Sequence, residues 1–261
     1  MNKYVKIIKT SAWEQLSQIK SLLARIIFLI VMLVIFNAFW NVVQSEKSSA
    51  DISAVNFIWY LLLGAILQFG RPEGLHRRIE EDVRSGNIAY LMMRPVSFIW
   101  YKCCESLGTF CVRLPVFLGI GGLIIFILTD GSLPDGIRAL PIIILLLFGS
   151  MILLSLGTVF VGLSALYLQD SLPLFWLVQK GEYILGGLWF PLTFYPESLF
   201  RFAQATPFGA AGYGVTHLIY GYSPENAIKA CLMLSFWIVF MATLNHFLFY
   251  ILKRKVSVNG G

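Results

Sequence analysis

Residues 186–221 read GGLWFPLTFYPESLFRFAQATPFGAAGYGVTHLIYG. The stretch is apolar enough to enter a membrane, yet Pro191, Pro196 and Pro207 interrupt it. None of its unbroken pieces reaches the roughly 20 apolar residues that a spanning helix needs. Proline removes a backbone donor and clashes with the preceding turn. Broken backbone survives at membrane depth only where protein covers it or water reaches it. The segment therefore reads as one that dips into the bilayer from one side and turns back. Its prolines are expected to end short helices, and Gly186 and Gly187 to let those helices approach the neighbouring span.

The rest of the chain fits a membrane context. Of 261 residues, 57% are hydrophobic and 13% charged, against about 25% charged in a soluble domain. No polar stretch is long enough for a separate soluble domain, so residues 1–261 read as a single membrane domain. The lysines at 3, 6, 9 and 20, with no small-residue cleavage pattern after a short apolar core, make a removed signal peptide unexpected. The four cysteines have neither zinc nor CxxC spacing and read as small apolar fillers.

Six apolar segments are expected at 22–43, 55–69, 98–128, 137–168, 172–190 and 227–252, with bends at Pro115 and Pro141 in the third and fourth. Ahead of them, residues 3–20 carry Val5, Ile8, Ala12, Leu16 and Ile19 at helical spacing. That stripe, with Trp13 suited to headgroup level, predicts an amphipathic helix in the interface plane or merely the polar start of the first span. With both termini placed in the cytoplasm, 14 of the 20 Lys and Arg residues fall inside: five up to Arg25, six from Arg71 to Lys102, and three at 253–255. Lys47, Arg138, Arg201 and Lys229 fall outside, and Arg113 and Lys180 lie within spans. The positive-inside rule favours this orientation. The net charge of +6 is then cytoplasmic-face anchoring, with no interleaved basic and aromatic surface to suggest nucleic acid.

The sizeable polar loop, 71–95, includes Leu75, Ile79 and Val83 at i, i+4, i+8, one short apolar stripe, with Gly86 as a helix stop. Arg78, Glu81, Asp82 and Arg84 lie off the stripe. Two readings remain open: a solvated connector, or a docking helix that receives force from a soluble partner. Ionisable residues inside spans are costly and mark function by default. Glu105 and Arg113, about 12 Å apart along one helix at 1.5 Å per residue, each need a partner elsewhere. Glu105 is placed to snorkel to the interface. Arg113, Lys180 and Glu182 are candidates for lining a path or a subunit interface, or else form helix–helix hydrogen bonds. There is no Walker A, GxSxG or HExxH pattern, so no catalytic, metal or cofactor-binding residue is assigned.

An interfacial helix, six spans, both ends inside, a helical loop after the second span, and the Gly187–Pro191–Pro196–Pro207 series together resemble the ABC-2 type permease superfamily. The loop Ile79-Glu80-Glu81-Asp82-Val83-Arg84-Ser85-Gly86, closing with Leu91-Met92-Met93-Arg94-Pro95-Val96, is similar to a narrower branch with an "I…SG…L…RPV" pattern. Here LMMRPV stands where leucine pairs are more usual. The resemblance implies a pair of permeases, identical or related, in a bacterial cell membrane (the inner membrane if Gram-negative). It implies separate ABC ATPase subunits, which would bind the ATP and Mg, docked on the cytoplasmic loops, and export of a hydrophobic or amphipathic substrate. In it Leu75, Arg78, Ile79, Glu81, Asp82, Val83 and Arg84 would form the coupling helix. Val5, Ile8, Ala12, Trp13 and Leu16 would belong to the interface helix, and Gly187, Pro191, Pro196 and Pro207 to an outer gate. The alternatives are an ion-gradient-driven secondary transporter, which would want broken helices in both halves, and a non-transporting membrane assembly factor.

Overall fold

The computed structural model describes residues 3–46, 52–93, 95–168 and 170–259. Arg94, of the Arg-Pro-Val pattern, and Lys47, of the outer charge count, lie outside the described residues. No strand occurs among the described residues. An apolar chain satisfies its backbone groups most locally as helix, since each bond closes within its own segment.

The order is α1 (Lys3–Ser17), α2 (Ile19–Glu46), α3 (Ala54–Phe69), α4 (Leu75–Arg84), α5 (Asn87–Met92), α6 (Phe98–Leu128), α7 (Leu140–Leu163), α8 (Leu172–Ile184), α9 (Glu197–Ala205), α10 (Pro207–Ala211), α11 (Tyr213–Thr216) and α12 (Pro224–Asn259). Among the described residues four stretches are long and apolar enough to cross a membrane: Ile19–Gln44, Phe98–Leu128, Ile137–Leu163 and Pro224–Lys253. The central one is α7. Over half of its most apolar window is buried, against 11% for the last helix, and α3, α4, α6 and α12 all pack against it.

The expected second and fifth segments form shorter helices. With 16 residues, α3 is about 24 Å long, and α8 with 13 about 20 Å, at 1.5 Å per residue. Residues 56–67 of α3 are buried without a break, as expected of a helix that is apolar all round. The fifth segment departs from the expected 172–190. Its helix stops at Ile184 because Gly187 turns the chain at φ +61°, a conformation that glycine adopts without cost.

The first helix also ends ahead of the expected residue 20. It stops at Ser17, and the carbonyl of Gln18 accepts from Ser21 and Leu22 to begin the next helix. Ile19 therefore belongs to α2. Within α1 the face turned to the protein carries Ser11 and Gln15, while Val5, Trp13 and Leu16 stay exposed.

Pro141 acts as a start where the sequence suggested a bend, and Pro196 and Pro207 are both stop and start, since the turn at Leu192–Phe194 and α9 each end two residues ahead of them. Pro141 lies in the first turn of α7 and Pro207 in that of α10, and Pro196 caps α9. Pro191 precedes a single 3-10 turn at Leu192–Phe194. In a first turn the missing N–H has no helical partner to lose, and the ring's fixed φ already suits the helix. Pro115 lies inside α6 and does not end it.

Two poles result, at opposite ends of α3. At one, Asn56 Nδ2 donates to Asp135 Oδ2 (2.6 Å), and Asp135 N donates to Asn56 Oδ1 (3.1 Å). There Trp40 stacks on Phe57 at 3.8 Å and touches Phe194, and Gly136 N donates to Ile219 O at 2.7 Å. At the other pole lie Phe69, Arg71, α1 and α4. Halfway along α3 the Tyr60 hydroxyl donates to the Gly187 carbonyl. The backbone broken at Gly187 is thus covered by protein, at a level only half the length of α3.

Candidate functional site

Helix α4 is held on two sides. Leu75 and Ile79 are buried and Val83 half-buried, in a cluster with Ile88, Phe98, Leu156, Val159 and Leu252. Close seating on α7 needs Gly162, where a Cβ would stand 2.6 Å from the Ile79 Cβ. On the α6 side, Arg78 pairs with Glu105 at 2.8 Å, and Lys102 lies 3.4 Å from Asp82 and 3.7 Å from Glu105. Asn87 Nδ2 donates to Asp82 Oδ1 at 2.9 Å. Glu80 pairs with Arg84 at 2.8 Å and accepts from the Ser171 hydroxyl. Ser85 Oγ closes the last turn onto Glu81 O, followed by Gly86 at φ +72°.

The seven expected docking residues thus divide by what they touch. Leu75, Ile79 and Val83 seat the helix, and Arg78 and Asp82 tie it to α6 and the α5 linker. Glu81 is exposed with a side chain in no ion pair among the described residues, and Arg84 is exposed beside Glu80. Arg77, off the apolar stripe but outside the expected coupling set, is exposed in the same way. Glu105 has a partner in the loop rather than reaching for solvent.

Arg113 is 1% exposed. Its Nη1 donates to the carbonyls of Phe69 (2.7 Å) and Arg71 (2.6 Å), and its Nη2 to Gln15 Oε1 (2.7 Å). A cation over the last carbonyls of α3 opposes that helix's C-terminal dipole and gives the polar face of α1 its anchor. Arg71 in turn makes a two-pronged pair with Glu182, at 2.9 and 2.5 Å. Two of the three expected path residues are therefore joined through Arg71, in the run Gln15–Arg113–Arg71–Glu182. Lys180 is not part of it. It is exposed and lies over the rings of Trp176 and Tyr183 at 5.4 and 5.3 Å.

The segment 186–221 folds into α9, α10, α11 and flanking 3-10 turns. Tyr213 N donates to Gly186 O at 2.7 Å. Gly212 lies so close that a Cβ there would be 2.1 Å from the same carbonyl. The four expected gate residues are spread through it: Gly187 at the turn out of α8, Pro191 and Pro196 each just ahead of a helical piece, and Pro207 in the first turn of α10.

A cavity of about 380 Å³ opens between the end of α3, the start of α4 and α8. His76 lies in its wall, 5% exposed, stacked on Phe175 at 3.8 Å, with Nε2 lacking a partner. Burial, with the charges of Arg77 and Arg71, holds the His76 pKa below its usual value, so the ring is neutral at pH 7.

A scan against protein-family models finds none that matches the chain, and a search of curated proteins finds no match.

Proposed function

We propose that this chain is the transmembrane permease subunit of an ATP-driven exporter of the ABC-2 type. In this reading the six apolar segments all cross the membrane, α3 and α8 with help from the protein around them. Both termini face the cytoplasm, and 186–221 is a re-entrant hairpin on the outer side. The chain works with a second permease, identical or related, and separate ABC ATPase subunits bind ATP and Mg beneath α1 and α4. The membrane is a bacterial cell membrane, and the cargo is hydrophobic or amphipathic.

The observation that carries the reading is how α4 is held. Its apolar stripe is seated on α7 and its charges tie it to α6, so a push on α4 reaches two long helices at once. A soft surface loop would absorb that push. ATP binding must be converted into a difference in stability between two permease states, and a clamped helix with an exposed charged edge suits that task.

The test is Glu81→Lys. An exposed substitution of this kind shifts stability by about 0.5 kcal/mol or less, while reversed charge at a docking surface costs specific pairing. Transport-coupled ATPase activity should fall at least tenfold with membrane insertion unchanged. Wild-type coupling would remove the docking assignment from α4. Asp82→Lys is a poorer test, since it would also break the Lys102 and Asn87 contacts.

A further inference from the structure

The cavity between α3, α4 and α8 contains more than its structural role requires. Three guanidinium groups line it, Arg25, Arg71 and Arg77. Arg25 is paired with Glu73 and Arg71 with Glu182. Arg77 has no ion pair among the described residues, though the carboxylates of Glu80 and Asp170 also act on the neighbouring His76. The first turn of α4 borders the same space, from Gly74 at φ +61° onward, and among the described residues no side chain caps it. The first backbone N–H groups of a helix have no internal acceptor, and together with the dipole they favour an anion. The buried His76 Nε2, also without a partner, belongs to the same wall. Phe175, on which His76 stacks, and Trp176 of α8 give the lining an aromatic part, the latter half exposed at 49%. Next to it Leu177 is 70% exposed. A volume of about 380 Å³ lies within the roughly 300–1,000 Å³ of small-molecule sites.

We infer that this cavity binds a phosphate-type anion, most favourably one carried on an apolar body, as in the headgroup of an anionic membrane lipid. The anion would sit at the start of α4 beside Arg77 and His76, and the apolar part would run along Trp176 and Leu177. The inference rests on the long apolar helices lying in a membrane. It does not need the ATPase reading, and it places an anionic ligand at the first turn of the helix assigned there to coupling.

The experiment uses the full chain purified in a neutral detergent, with tryptophan fluorescence as the signal. The Trp176 component is obtained as the difference between the wild type and Trp176→Phe. Brominated phosphatidylglycerol should quench that component at least tenfold more effectively than brominated phosphatidylcholine. Arg77→Gln should abolish the preference and Arg77→Lys retain most of it. Arg77 is exposed and unpaired, so neither change should disturb folding. Thermal unfolding with added inorganic phosphate separates the two sources of the anion. Stabilisation by phosphate that Arg77→Gln removes, without a lipid preference, would assign the site to a free anion. Equal quenching by both lipids together with no Arg77-dependent effect of phosphate would overturn the inference.

Discussion

Glu182→Gln should lower stability more than any other single exchange of a polar side chain in the chain. It leaves Arg71 charged, with a side chain only 13% exposed, and without its counter-ion. Breaking a buried pair from one side costs about 3–5 kcal/mol. For a chain of this size that corresponds to a fall in apparent Tm of roughly 6–20 °C. The damage should spread, because the Arg71 carbonyl accepts from Arg113 and Arg113 holds Gln15 of α1. Arg71→Met combined with Glu182→Met removes both charges and should recover most of the loss, since apolar replacements of a buried pair are often neutral. Thermal unfolding in detergent checks both. A double variant as unstable as Glu182→Gln would mean that the pair itself is not the source of the effect.

Gly212→Ala should also destabilise the chain, at the turn out of α8, and it should have a functional effect. The added Cβ would stand 2.1 Å from the Gly186 carbonyl oxygen and 2.9 Å from its carbon. These are backbone atoms, so no side chain can turn aside. Overpacking of this kind costs about 1–3 kcal/mol and sometimes more, and here it would push α10 and α11 off the end of α8. If 186–221 is the outer gate, transport should drop at least tenfold while the chain still inserts and still retains its partners. Gly119→Ala is the control, because a Cβ there meets nothing within 4 Å, and it should leave transport unchanged. Equal transport by Gly212→Ala and wild type would separate the hairpin from the transport path.

The parts of the fold that were legible in the sequence are those set by local pattern. The long run 98–128 is one helix between the expected bounds, since an unbroken apolar stretch of that length has few other solutions. The stripe Leu75, Ile79, Val83 marks the inner face of α4 because its spacing matches the helical period. The end of α8 was not legible. Leu-Gly-Gly-Leu-Trp-Phe stays apolar past Ile184, and hydrophobicity reports depth, not conformation. Pro141 opens a helix where a bend was expected, for a related reason. A proline is unfit for a helix interior and well suited to a first turn, so it marks a boundary without saying which side of it is helical.

Of the candidate site, the exposed edge of α4 could be read from charge and period. The pairing could not. Arg71 and Glu182 are separated by 111 residues and Gln15 and Arg113 by 98, and a single sequence has no local signal at that range. The burial of Ser11 and Gln15 has the same origin. Taken alone they belong to the polar face of α1, and only the guanidinium of Arg113 and the close approach of α6 make that face the inner one.

The most direct test of the permease reading is to purify the tagged chain from its native membranes in mild detergent. The material is then assayed for a bound ATPase subunit and for ATP-dependent movement of a lipid-like probe after reconstitution into vesicles. The expected result is a soluble-type, Walker-containing ATPase in fixed stoichiometry with the chain, and transport that stops without ATP. Transport by the chain alone, driven by an ion gradient and with no such subunit bound, would contradict it.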